Sequence, residues 1–161
     1  MITRQKTPYL IFAIDDRKLA IELEVVEQVF SAVEITPLEG APETILGLIN
    51  VHGAIIVVLN VRKKLDLHQR SIELSDQIIM VNVDDRQLGL LVDDVVEVLQ
   101  TDPQQFEAMV VPDETPSKPS QARQGFESDN TPIELYDLRN FLSEEEEKQL
   151  RQALQTAYKN L

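Results

Sequence analysis

The residues here whose types could do chemistry are two histidines, three adjacent aspartate pairs and one spaced pair of glycines. His52 stands between two glycine-marked apolar segments, and His68 lies in a polar stretch. Neither belongs to a His-x-x-x-His or His-x-Glu pattern, so the spacing does not indicate a zinc site. The chain has no cysteine, which excludes disulfides and thiolate ligands. Asp15-Asp16, Asp84-Asp85 and Asp93-Asp94 are neighbours in sequence. On an extended chain such neighbours point to opposite faces and cannot share a proton. The first two pairs suit tight turns, because Asp side chains bond nearby backbone amides. Asp93-Asp94 follows an apolar run and suits a cap on the next element. Gly47 and Gly53 lead into Ala54-Ile55 rather than Gly-Lys-Thr, with no helix behind them, so a phosphate cradle is not indicated. Without a nucleophile–base pair, a carboxylate pair or a metal cluster, the reading is a binding module with no catalytic residue, metal or cofactor.

The elements that hold these residues repeat. Residues 9–30, YLIFAIDDRKLAIELEVVEQVF, align with 78–99, IIMVNVDDRQLGLLVDDVVEVL, at an offset of 69. Asp15-Asp16-Arg17 falls on Asp84-Asp85-Arg86, Leu19 on Leu88, Val26 on Val95 and Val29 on Val98. Residues 9–14 are apolar and too few for a helix between Pro8 and the aspartates, so they read as a buried strand. Leu19, Ile21 and Leu23 alternate with Ala20 and Glu22, a returning strand with one buried face. Val25–Val33 reads as extended, with a helical turn as the alternative. Ile55–Val61 is a β-branched central strand, and 62–67 a short helical turn. A second echo joins IVVLNVRKKL, 56–65, to IELYDLRNFL, 133–142, at an offset of 77. The larger offset places extra residues in 111–125, which hold three of the eight prolines and read as a mobile loop. The fold class is therefore all-β: two small units, each too small for an independent core, that pack together and share one.

Residues 143–161 read as an amphipathic helix. Ser143 and Glu146 form a capping-box pattern, and Leu150, Ala153, Leu154, Ala157, Tyr158 and Leu161 make one apolar stripe. The run Glu144–Glu147 reads as a solvated helix start. The chain carries 28 acidic against 15 basic side chains, a formal charge of −13, which repels phosphate backbones and anionic lipid. With only eight aromatics, nucleic-acid binding by a small barrel is disfavoured. No apolar signal core stands at the N-terminus, and no run approaches the roughly 20 residues of a membrane helix. The expected location is the cytoplasm, without membrane insertion.

Two stretches carry a resemblance. ILGLINVHGAIIVVLNVRKKL, 45–65, resembles the CheW-like pattern of a Gly, then Asn-Leu-Arg-Gly, an apolar strand and Asp-Leu-Arg. QLGLLVDDVVEVL, 87–99, resembles the same family's Gly-x-x-Val-Asp-x-Val. The chain is similar to CheW-like chemotaxis coupling proteins and kinase domains over about 8–142. The resemblance implies a domain of two intertwined, SH3-like, five-stranded β-barrels with the C-terminal helix appended. It also implies a non-enzymatic adaptor that joins a CheA-like histidine kinase, through its CheW-like regulatory domain, to the cytoplasmic tip of chemoreceptors. One barrel would pair with the kinase, and the groove between the barrels would take the receptor's helical hairpin.

The resemblance places protein binding at Val26, Gln28, Gly47, His52, Gly53 and Arg62. Gly47 and Gly53 would allow close backbone approach or positive φ. For Arg62 a structural role is equally open, since Arg139 repeats it. The sequence departs from the family pattern at four places: His52 replaces Arg, Gln28 replaces Glu, Asn60 replaces Asp and Val57 replaces Pro. His lacks the permanent charge and the five-donor fork of Arg. Either the partners carry compensating changes, or the chain serves another chemosensory pathway, such as pili or gliding. A small-ligand-binding barrel is the alternative from another class.

Overall fold

The computed structural model describes residues 6–109 and 123–159. Its strands are β1 (Thr7–Ile14), β2 (Arg17–Glu22), β3 (Val26–Ser31), β4 (Ile45–Val51), β5 (Ala54–Leu59), β6 (Gln77–Val83), β7 (Arg86–Val92), β8 (Asp94–Thr101), β9 (Glu107–Met109), β10 (Arg123–Ser128) and β11 (Thr131–Leu135). Two helices, α1 (Val61–Lys64) and α2 (Glu144–Lys159), and two single 3₁₀ turns complete the order. Of the expected loop 111–125, residues 111–122 lie outside the described residues. Residues 123–125 correct it, because they pair with Met109, Ala108 and Glu107 as an antiparallel ladder.

The strands form two sheets, β8-β1-β2-β11-β10-β9 and β3-β6-β7-β5-β4. The first has six strands rather than the expected five, the extra one being the three-residue β9. The mainly-β class, the two small sheets and the single long helix are as the sequence implied. By contacts, Met1–Glu24 with Val95–Tyr136 make one unit, and Val25–Asp94 with Asp137–Leu161 the other.

Repeats and sheets do not coincide, because each sheet takes one hairpin from each repeat. In the first sheet β2 runs parallel to β11, with Leu19 opposite Glu134. In the second β7 runs parallel to β5, with Leu88 opposite Val57. Offsets of 69 and 77 carry the first pair onto the second, so the echoes mark equivalent ladder positions.

The tight turns follow from their residues. Backbone φ is positive at Asp15, His52, Gly53, Asp84, Asp85, Asp129 and Asn130. Asp, Asn and His tolerate this region better than most side chains. Two consecutive residues of positive φ make the mirror-image turn whose twist suits a hairpin. His52-Gly53 thus plays in β4–β5 the part that Asp129-Asn130 plays in β10–β11.

Each unit buries its own apolar set. In the first, Tyr9, Ile11, Ala20 and Ile133 pack with Phe106 and Phe126, whose rings stack at 5.6 Å. Ala20 is fully buried, so β2 hides both faces rather than the expected one. Arg17 donates to Glu134 at 2.6 Å, tying β2 to β11. In the second unit Ile49, Ile56, Val58, Ile78 and Met80 form the cluster.

Helix α2 packs on the second unit through Leu150 and Ala153. The capping box forms as expected: Glu146 N–H donates to Ser143 Oγ, and Ser143 N–H to Glu146 Oε1, each at 3.1 Å. The glutamate run is only partly a solvated helix start, which corrects the expectation. Glu146 also accepts from the Thr44 hydroxyl and faces Lys64 at 3.8 Å, while Glu147 accepts from Arg86 at 2.6 Å. Of the run, Glu144 and Glu145 are exposed, and Glu146 and Glu147 are half-buried.

Candidate functional site

All six expected site residues lie in the second unit. Val26 and Gln28 sit on β3, half-buried opposite Val81 and exposed opposite Met80 respectively, with a β-bulge between them. A bulge re-aims side chains locally. Beside it, Glu27 accepts from Gln87 at 3.0 Å.

His52 and Gly53 form the exposed tip between β4 and β5, with φ of 51° and 89°. Gly53 N–H donates to Asn50 Oδ1 at 2.8 Å, which fixes the turn from one side. A Cβ on Gly53 would meet nothing within 4 Å, so its need for glycine is conformational. The tip's surroundings include half-exposed Ile55 on β5.

Gly47 does different work. It is buried, at φ 154°, at a register shift in β4. A Cβ there would stand 2.2 Å from the Thr36 carbonyl oxygen. Thr36 exchanges backbone bonds with Leu48, donating at 2.9 Å and accepting at 2.8 Å. That pair joins the segment after β3 to β4 and closes the sheet into a barrel. Gly47 therefore serves closure rather than presenting a contact surface.

Arg62 in α1 is also internally engaged. Its Nη2 donates to both Asp93 carboxylate oxygens at 2.9 Å, and its Nη1 to the His68 carbonyl at 3.2 Å. Of the two open roles the structure supplies the structural one. Asp93 thus binds arginines and does not merely cap β8. β5 ends at Leu59, two residues before the expected Val61, because Asn60 turns the chain: its Oδ1 accepts from Lys63 N–H at 3.1 Å, capping α1. Its amide also donates to Gln69 Oε1 at 2.9 Å and to the Glu43 carbonyl, bonds that a carboxylate in its place would lack.

Sequence reasoning missed the partners of Arg62. Arg70 donates to Asp93 at 2.7 Å and to both oxygens of Asp76, at 2.9 and 2.7 Å. Asp76 is 2% exposed and also accepts from Glu73 N–H at 2.9 Å. The only sequence signal was an Asp directly before an apolar strand. Burial pushes the Asp76 carboxyl up, but the Arg70 guanidinium and the Glu73 amide outweigh it and hold it below the usual 3.8. Glu146 behaves alike: burial raises it, and Thr44, Ser143 and Lys64 together bring it below 4.5.

A carboxyl depressed in the folded state adds stability that is complete above its unfolded pKa. That contribution disappears as pH falls through the folded value. Unfolding midpoints in urea should hold level down to about pH 5 and fall below about pH 4. In Glu146→Gln the acid slope should be shallower; an unchanged slope would remove Glu146 from the account.

The crevice beside this cluster, lined by Leu46, Arg62, Arg70, Ile72, Leu91 and Asp93, has room for water-sized contents of about 30 Å³. Ligand pockets are roughly ten times larger. Among the described residues no group of acidic and histidine side chains could hold a metal ion. No helix among them is long and apolar enough to cross a membrane.

The model of the CheW-like domain matches residues 8–146. The chain belongs to the CheW-like family. Among curated proteins it is 33% identical to the chemotaxis protein CheW of Thermotoga maritima over 104 residues, covering 65% of this chain and 68% of that one. It is 24% identical to the chemotaxis protein CheW of Treponema pallidum over 92 residues, covering 55% and 54%. The matched stretch thus spans from about half to two thirds of these relatives. The crystal structure of the scaffolding protein TtCheW from Thermoanaerobacter tengcongensis shares the fold, with a TM-score of 0.73 over 88% of this chain and 90% of that one, at 23% identity. Within this CheW-like fold, Val26, Gln28, His52 and Gly53 have partly or fully exposed surface, whereas Gly47 and Arg62 support it.

Proposed function

We propose that this protein is a cytoplasmic, non-enzymatic adaptor that couples a CheA-like histidine kinase to the cytoplasmic tip of chemoreceptors. The observation that carries this reading is the CheW-like family match over 8–146, nearly the whole chain. Four of the six expected contact positions are consistent with it: Val26 and Gln28 on β3, and His52 and Gly53 at the β4–β5 tip, carry half-buried or exposed surface on the second unit. Val26 would supply apolar contact, and Gln28 and His52 stand where the family resemblance has Glu and Arg.

Titration calorimetry of the full chain against the CheW-like regulatory domain of its own organism's kinase tests the reading. Micromolar binding is expected, and no binding by a demonstrably folded sample would overturn it. The substitutions at Gln28 and His52 favour partners with matching changes, or another chemosensory pathway. His52→Arg should then change affinity for those native partners by less than about twofold, since a rim charge without its counterpart contributes little. A tenfold gain would show instead that the partners still expect Arg. The control His52→Asn keeps the turn, because Asn also tolerates positive φ.

A further inference from the structure

We propose that the turn Glu73–Asp76 is a preformed docking knob, with Leu74 as the anchor that enters an apolar, cationic-rimmed socket on the kinase's regulatory domain. This deepens the adaptor reading and rests on it.

Leu74 is 100% exposed and Ile72 44% exposed, so neither the fold nor its core accounts for a leucine at this position. Single exposed apolar residues are common on protein surfaces, so exposure alone does not mark a docking site. This loop is held. Asp76 N–H donates to the Glu73 carbonyl at 3.0 Å, and Glu73 N–H donates back to the Asp76 carboxylate at 2.9 Å. Arg70 then pins that buried carboxylate and Asp93 together. The backbone beneath Leu74 is thus fixed before any encounter, which removes much of the ordering cost of binding.

The occupant follows from shape and charge. A projecting side chain on a tight turn needs a concave socket. A two-helix hairpin presents ridges and shallow grooves, whereas a globular domain offers sockets. Beside Leu74 the Glu73 side chain is 63% exposed and its carboxylate lies 3.9 Å from Arg70, which also pairs with Asp76 and Asp93; with Arg62 on Asp93, three carboxylates face two guanidinium groups and the cluster keeps an acidic excess. The tip therefore presents a carboxylate on a chain of charge −13, and a cationic rim complements it.

Calorimetry with the full chain and the kinase regulatory domain decides the matter. Leu74→Asp should weaken binding at least tenfold, and Leu74→Met should stay within about threefold, because Met fills the same kind of socket. Glu73→Gln should flatten the salt dependence of binding. Thermal unfolding of all three variants should match the unaltered protein, since these side chains support no core. If Leu74→Asp binds the kinase domain within twofold of the unaltered chain, the inference is overturned. A loss confined to receptor fragments would overturn the choice of partner. Failure of the unaltered chain to bind would overturn the adaptor reading and the knob together.

Discussion

Arg70→Ala should destabilise the protein by about 3 kcal/mol, toward the lower end for breaking a buried ion pair because Arg70 itself is 28% exposed. The large term is the carboxylate left behind. Asp76 is 2% exposed and would keep only the Glu73 amide among its described donors. A buried charge without its counter-ion costs more than the pair contributed. Two further variants separate these effects. Arg70→Lys should recover little, because an ammonium cannot fork onto both oxygens of Asp76 and still reach Asp93. The double variant Arg70→Ala/Asp76→Ala should be more stable than Arg70→Ala, since it removes the stranded charge. Urea unfolding at neutral pH reads all three. If the double variant is the less stable, the stranded carboxylate is not the cause of the loss.

Gly47→Ala should cost about 4 kcal/mol, combining backbone strain with overpacking. The φ of 154° leaves little room for an L side chain, and the added Cβ would meet the Thr36 carbonyl oxygen at 2.2 Å. That oxygen accepts from Leu48 N–H across the barrel seam, so relief of the clash must open the seam. Binding to partners should fall only in proportion to the folded fraction, because the residue supports the surface without forming it. A stable Gly47→Ala protein with lost binding would instead make Gly47 a direct contact. Gly53→Ala tests the contrast. Its Cβ would be in open space, so the cost should be about 1 kcal/mol, from φ alone.

Much of this architecture was readable beforehand because its signals are local. Alternating and continuous apolar runs marked the strands, Asp-Asp marked two of the hairpin tips, and Ser143 with Glu146 marked the start of α2. The two offsets identified equivalent residues correctly. The partner of each hairpin was not readable, since nothing near Leu19 in sequence says that Glu134 will lie beside it. The site divides in the same way. Glycines and the histidine were visible as residue types, and family resemblance singled them out. Their physical roles were not visible: Gly47 and Gly53 look alike in sequence, yet one has a carbonyl against its α-carbon and the other has empty space. The Arg62, Arg70, Asp76 and Asp93 network escaped because it depends on the path of the loop between α1 and β6, where no period constrains the chain.

The exchange of hairpins between the repeats bears on synthesis at the ribosome. Arg17 and Glu134 bond across 117 positions. The sheet containing β1 and β2 therefore cannot be completed until β10 and β11 have emerged, although its first strands are made early. The sheet containing β3–β7 has all its strands by Val92 and can assemble while the rest is still being translated. The nascent chain thus carries an unpaired β2 edge beside an already assembled sheet for as long as some forty residues take to elongate, about 2–8 s at bacterial rates. That interval is when the exposed β1–β2 hairpin is most open to pairing with a neighbouring chain.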